Sequence, residues 1–278
     1  MNKKIFTRVI LATLAFGLTG AAFAGVPLNS LDGAGGIAFA PLAYTSGLKL
    51  EEVSWVSKPQ VGAWYVKLPS SNIEWSSYSL SLSVADRVEL SYAFNLVNAK
   101  DYGENNIEAN TLGVKVRLLD ENAFDTAWLP AVSVGVKYHH TDSDTTDLLG
   151  LGHSGLSYYV VATKLITQLP LPVLVSAGLR RSDEVVYGVV GHKHHGTGFF
   201  ANVDVLPSEN VAIGVEYYQG VKVGDGIENS DYWDGHVAWF VNKQLTLVGA
   251  YVSTGNKDKG FGDLGVGDGF VLSVQYQF

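Results

Sequence analysis

From residue 60 onward the sequence alternates apolar and polar residues with a period of two, segment after segment, and this pattern constrains the fold more than any other feature. In residues 87–98, Val88, Leu90, Tyr92, Phe94 and Leu96 fall on one side of an extended chain, and Glu89, Ser91, Ala93 and Asn95 on the other. Residues 109–119 and 130–140 repeat the pattern. Further segments fall at 60–68, 73–84, 156–167, 172–182, 198–205, 210–219, 232–242, 244–253 and 269–278. The count is twelve strands of an all-β chain. Each is about the 9–11 residues that a tilted strand needs to cross a hydrocarbon slab. Beyond residue 24 no run of about 18 apolar residues occurs, so a bilayer could be spanned only by a closed antiparallel barrel.

The connections separate a membrane barrel from a soluble sandwich, which would also alternate. Long polar stretches at 99–108, 141–155, 183–197, 220–231 and 254–268 alternate with short turns at 85–86, 168–171, 206–209 and 242–243, and a medium one at 120–129. Transmembrane up-and-down barrels sort short periplasmic turns from long outer loops in this way, whereas both ends of a sandwich face the same water. Aromatic residues gather where strands meet connections. Tyr138, Tyr217, Trp233 and Tyr251 lie toward the long loops, and Trp128, Trp239, Tyr276 and Phe278 toward the short turns, as in two interfacial girdles.

The first residues carry Lys3, Lys4 and Arg8, an apolar stretch from Val9 to Leu18, and a small-residue exit at Gly20-Ala21-Ala22-Phe23-Ala24. This is the pattern of a secretory signal peptide over residues 1–24. Its removal leaves 16 cations against 27 acids, so the exported chain is acidic and lacks the basic footprint of a nucleic-acid binder. With no cysteine, neither disulfides nor thiolate metal sites are available.

The closing segment Gly269-Phe270-Val271-Leu272-Ser273-Val274-Gln275-Tyr276-Gln277-Phe278 resembles the C-terminal strand of bacterial outer-membrane β-barrels of the small porin-like class. The resemblance implies location in the outer membrane of a Gram-negative-type bacterium, contact with outer-membrane lipid, and recognition of Phe278 by the barrel-assembly machinery. The mature N-terminus, from Gly25-Val26-Pro27-Leu28 through Gly33-Ala34-Gly35-Gly36-Ile37-Ala38, is similar to a family of exported proteins known only as a domain of unknown function.

Residues 25–59 precede the barrel of residues 60–278. Three arrangements fit: a plug folded into the lumen, a loose periplasmic tail, or an extra hairpin of 36–44 and 50–57 that would raise the count to fourteen strands. Pro41 argues against a central strand there, and Ala38, Phe39, Ala40, Leu42 and Tyr44 are poorly suited to water.

With the apolar faces toward lipid, the other parity lines the lumen. It carries Glu89, Lys115, Arg117, Lys137, Arg180, Asp204, Glu216 and Asp234. The cations Lys115, Arg117, Lys137 and Arg180 come from strands four, five and seven. The acids Asp204, Glu216 and Asp234 come from strands eight, nine and ten. Two walls of opposite sign would set a transverse field across a water-filled lumen; in a filled barrel they would neutralise each other. Glu89 and Arg117 are expected to pair. His139, His140, His192, His194 and His195 cluster toward the long loops, where imidazoles could hold zinc or copper, although no fixed metal motif is met. The segment 260–269 reads as a glycine-rich outer loop. No catalytic residue is assigned, because no Gly-x-Ser-x-Gly elbow occurs and His153-Ser154 are only sequence neighbours in a loop. No cofactor is implied.

The function expected from sequence is a narrow porin-like channel for small hydrophilic solutes, with a non-conducting barrel whose outer loops bind a ligand, metal or partner as the alternative and a lipid-modifying enzyme ranked behind both. The mature chain is expected to need detergent and to migrate faster unheated than boiled in electrophoresis; a water-soluble monomer without detergent would contradict the membrane reading.

Overall fold

In the computed structural model, residues 28–47, 55–102, 104–142, 152–224 and 226–278 are described. Fourteen strands occur: β1 (Gln60–Leu68), β2 (Ile73–Val84), β3 (Val88–Ala99), β4 (Glu104–Leu119), β5 (Ala131–Asp142), β6 (Ser154–Ile166), β7 (Val173–Val186), β8 (Val190–Ser208), β9 (Val211–Tyr218), β10 (Lys222–Gly224), β11 (Ile227–Glu228), β12 (Tyr232–Phe240), β13 (Leu245–Ser253) and β14 (Asp268–Gln277). Twelve form one closed antiparallel barrel; β10 and β11 make a separate hairpin between β9 and β12. β1 closes the ring on β14, with Gln60 opposite Gln277 and Lys67 opposite Phe270, so no sheet edge is left in the wall. The fourteen-strand alternative is therefore excluded, since residues 36–44 do not enter the ring.

β14 shows how the period-two sequence becomes a wall with two environments. Phe270, Leu272, Val274 and Tyr276 point out and are 62, 61, 51 and 39% exposed, while Val271, Ser273, Gln275 and Gln277 point in and are buried. The same outward apolar face is continued by Leu90 and Tyr92 on β3, Leu112 and Val114 on β4, and Ile213 and Val215 on β9. A soluble protein does not leave such a belt facing water; this barrel spans a bilayer. Rings mark both rims. Trp233, Tyr251 and Phe270 follow one another at centroid spacings of 6.4 and 5.9 Å near the long connections, and Tyr276 meets Phe278 at 5.2 Å at the other end.

The long-loop end departs from the sequence reading. Stretch 183–197 is no loop: β7 and β8 continue through it and turn at residues 187–189, and this tip folds inward so that Val185, Tyr187 and Val189 are buried. The reason is local. Val185, Tyr187 and Val189 extend the alternation past the polar run of Ser182-Asp183-Glu184, whose inward groups find partners inside the barrel rather than in water. The β10–β11 hairpin lies against this tip, burying Val221 and Val223 with Val185. Segment 260–269 carries a 3-10 turn over Phe261–Asp263.

Residues 28–47 lie inside the barrel. They form a compact loop with its own main-chain bonds, Gly36 N–H to Leu28 O, Leu31 N–H to Ala38 O and Leu42 N–H to Gly35 O. Leu28, Leu31, Ile37, Phe39 and Leu42 are almost fully buried. Main-chain amides of 30–44 are expected to exchange with solvent orders of magnitude more slowly than free peptide. Replacing Leu272 by Arg, on the lipid face near mid-strand, is expected to cost about 2–4 kcal/mol in a refolding titration.

Candidate functional site

The inward surface of the barrel meets residues 28–47 on nearly every side. Asn29 is held at the short-turn end: its N–H donates to Gln275 Oε1 (3.0 Å), its C=O accepts from Trp64 Nε1 (2.6 Å), and its Oδ1 accepts from Ser81 Oγ (2.6 Å). Ser77 Oγ donates to Leu31 O at 2.7 Å, and Ala43 N–H to Thr163 Oγ1 at 2.8 Å. These small hydroxyls are the polar half of the alternation, and they pair with buried main-chain groups of the internal segment.

The charged residues divide as follows. Glu89 on β3 and Lys115 on β4 are register partners, and their side chains meet at 2.9 Å with both nearly fully buried. They clamp Gly35 between them: its N–H donates to Glu89 Oε1 and its C=O accepts from Lys115 Nζ, each at 2.8 Å. A Cβ at residue 35 would meet Glu89 Oε2 at 2.5 Å, so any larger residue would have to displace the Glu89–Lys115 pair. The expected Glu89–Arg117 pair does not form. Arg117 lies one inward position nearer the short-turn end and is only partly buried, bonding Asp86 Oδ2 at 2.8 Å and Asp120 Oδ1 at 3.0 Å. The sequence reading placed the two residues at one height; the register puts Lys115, not Arg117, opposite Glu89.

Lys137 on β5 forms an ion pair with Asp32 of the internal segment, both buried. Asp32 Oδ1 accepts from Ser30 Oγ at 2.7 Å, and Oδ2 lies 2.8 Å from the Tyr187 hydroxyl, which is also 2.8 Å from Phe39 O. Arg180 on β7 stacks its guanidinium on Tyr218, 3.9 Å from the ring centroid, and donates to Gln219 O at 2.8 Å. Its Nη1 faces Glu184 Oε2 at 4.0 Å, too far for a hydrogen bond; Nε and Nη1 thus have no hydrogen-bond partner among the described residues.

On the neighbouring arc, Glu216 of β9 accepts the main-chain N–H groups of three successive residues, Ala38, Phe39 and Ala40. Asn202, Glu216 and Asp234 share one row of the sheet; Asp204, Gly214 and His236 share the next. His236 spans its row, with Nδ1 2.7 Å from Asp234 Oδ1 and Nε2 2.7 Å from Asp204 Oδ1. The span needs glycine at the middle strand, because a Cβ on Gly214 would collide with Asp204 Oδ1 and approach His236 Nε2 at 2.7 Å. The lumen-facing parity read from sequence also carries His236, two residues from Asp234, and the structure buries it there. The two signed walls thus lie on neighbouring arcs, β4–β7 and β8–β12, that meet at the β7–β8 pair, and the internal segment supplies a carboxylate to one and N–H donors to the other.

The histidines considered for a metal are placed as follows. His139 and His140 are neighbours on β5 and face opposite ways: His139 is buried 3.4 Å from Asp183 Oδ1, and His140 is exposed with Nδ1 2.9 Å from Ser154 Oγ. His195 Nε2 lies 2.9 Å from Leu156 O. His194 is exposed, with its ring against Gly224, and the side chain of His192 lies outside the described residues. Among the described residues no group of three or more His, Asp or Glu is arranged to hold a metal ion.

Outside the lumen, a cleft of about 550 Å³ opens between the 219–231 and 254–267 connections, lined by Tyr217, Asp231, Trp233, Ser253, Lys259 and Asp263. A hydrogen bond from Lys259 holds the Asp263 carboxyl below its usual range, helped by Ser230. Stability from this exposed link is present above the ordinary Asp range and is lost as pH falls through the lowered value. The 254–267 connection is accordingly expected to become more protease-sensitive below about pH 4, with Asp263→Asn showing that sensitivity at neutral pH. Replacing Lys137 by Met strands the Asp32 carboxylate in the lumen and is expected to cost about 3–5 kcal/mol, read from the unfolding midpoint in lipid.

One solved structure agrees with this architecture at the level of the fold. A structure titled "KdgM porin" superposes with a TM-score of 0.55 at 10% identity, covering 79% of this chain and 99% of that one. Outer membrane protein Omp33 of Acinetobacter baumannii (TM-score 0.48, 11% identity, 81% and 99% covered) and a NanC porin structure (0.47, 10%, 78% and 98%) are also similar. A search of curated proteins gives no match. Residues 25–266 match a family model described as "Protein of unknown function (DUF3034)", and the chain belongs to that family.

Proposed function

We propose that this protein is a porin-like channel of the outer membrane whose lumen is closed at rest by its own residues 28–47. The observation that carries the reading is the bonding of that segment: polar lining groups on β1, β2, β3, β4, β5, β6, β9 and β14 hold its main chain or side chains. A barrel needed only as an anchor could fill its interior with apolar side chains. Here the interior keeps charged walls and satisfies them with a detachable strip of chain. The strip is joined to the wall by hydrogen bonds and ion pairs, and water or solute could replace each of them. Among the described residues, a gap beside Pro41, between Lys137 and Arg180, is too narrow for a water molecule, and in this reading passage requires residues 28–47 to shift.

The outward apolar belt, the aromatic rims and the signal-like residues 1–24 support placement in outer-membrane lipid, with the short turns and both ends of the mature chain on the periplasmic side. Recognition of Phe278 during assembly belongs to the same reading. The alternative, ligand capture by the outer loops, has one observation in its favour, the cleft beside Tyr217 and Trp233.

In planar bilayers the mature protein is expected to open rarely, and Asp32→Asn to raise the open fraction at least tenfold, the equivalent of about 1.4 kcal/mol. The size of the open step should change when Arg180 or Glu216 is neutralised. Silence from a folded, heat-modifiable Asp32→Asn protein would favour the loop-binding alternative.

A further inference from the structure

We propose that the solute carried along this lumen is an α-amino acid, or the free amino-terminal residue of a short peptide, preferably with an aromatic side chain. The proposal rests on the channel reading above and deepens it. The internal segment acts as a tethered stand-in for the solute, and Phe39 is the residue that does so.

Three contacts of Phe39 carry the argument. Its N–H lies 3.1 Å from both carboxylate oxygens of Glu216. Its C=O lies 2.8 Å from the Tyr187 hydroxyl, which stands beside the Asp32–Lys137 pair. Its ring sits among Tyr187, Tyr232 and Tyr218, at centroid distances of 5.3, 5.6 and 6.3 Å. The lumen therefore grips one N–Cα–C–O unit between a carboxylate and a hydroxyl backed by a cation, and offers that unit's side chain a cage of tyrosines. A free α-amino acid has the same covalent skeleton. Its ammonium would replace the N–H on Glu216 with a stronger, charge-assisted bond, and its carboxylate would replace both the Phe39 carbonyl and the Asp32 carboxylate against Tyr187 and Lys137.

Other classes fit less well. A simple anion would be drawn to Lys137 and Arg180 but repelled by Glu216 and its register partner Asp234. A simple cation meets the reverse. A neutral sugar would leave desolvated charges on both walls without partners. Arg180, buried beside the gap at Pro41 with Nε and Nη1 lacking hydrogen-bond partners and Glu184 4.0 Å away, supplies further donors for a carboxylate on that side.

The test uses full-length mature Asp32→Asn protein in planar bilayers, with Ser133→Ala, which removes the bond to Ala43 O outside the proposed site, as a second opening variant should the first fail to fold. Phenylalanine, 3-phenylpropionate and phenethylamine are added in turn, the last two lacking the ammonium and the carboxylate respectively. Phenylalanine is expected to interrupt the current at about one tenth the concentration needed for either analogue. Adding Glu216→Gln should bring it down to the level of phenylpropionate, and adding Lys137→Gln to that of phenethylamine. Equal blockade by all three compounds, or blockade indifferent to both substitutions, overturns the zwitterion assignment and leaves the channel standing. No conductance from either folded opening variant overturns the channel and this assignment together.

Discussion

Every backbone N–H and C=O placed in hydrocarbon must find a partner within the protein, and closure of the sheet meets that demand here. The seam between β1 and β14 removes the last two edges from the wall. Once the ring is closed, its inner face becomes a second problem of the same kind. A lumen filled by chain holds little water, so serines, glutamates and lysines that alternate inward need partners too. Residues 28–47 supply them, and the strip is less an addition to the barrel than the complement of its polar face.

The charged groups are arranged to make that complement specific. On one arc Lys115 and Lys137 are answered by Glu89 and by Asp32, the first from the neighbouring strand and the second from the strip. On the other arc Glu216 takes three main-chain donors, while His236 lies between Asp204 and Asp234. Buried ion pairs add little net stability but penalise wrong arrangements heavily, because any shift leaves a charge without a partner. Gly35 and Gly214 serve the same end by letting charged side chains approach where a methyl group would block them.

Much of the barrel was legible in the sequence because period two is a direct consequence of strand geometry and a two-sided environment. The inward parity of Glu89, Lys137, Arg180, Asp204, Glu216 and Asp234 follows from that period alone. Register does not, which is why Arg117 was assigned to Glu89 when Lys115 stands opposite; a shift of two residues preserves parity and changes every pair. The run 183–197 was read as a loop because charge and histidine content suggested water. Those residues are inward-turned or on a hairpin flank, and composition carries no record of which. Phe39 and Tyr187 gave no motif at all, since their meeting depends on a strip entering from one end and a hairpin tip folding in from the other.

The place of the strip in the chain has a consequence for how the molecule is made. Residues 28–47 precede every strand of the barrel in sequence, yet Asn29 is gripped by Gln275, which lies on the last strand, three residues before Phe278. Its final berth does not exist until the last strand has joined the first. The berth is therefore complete only when the ring is closed, and the strip's bonds to the last strand form with the seam or after it.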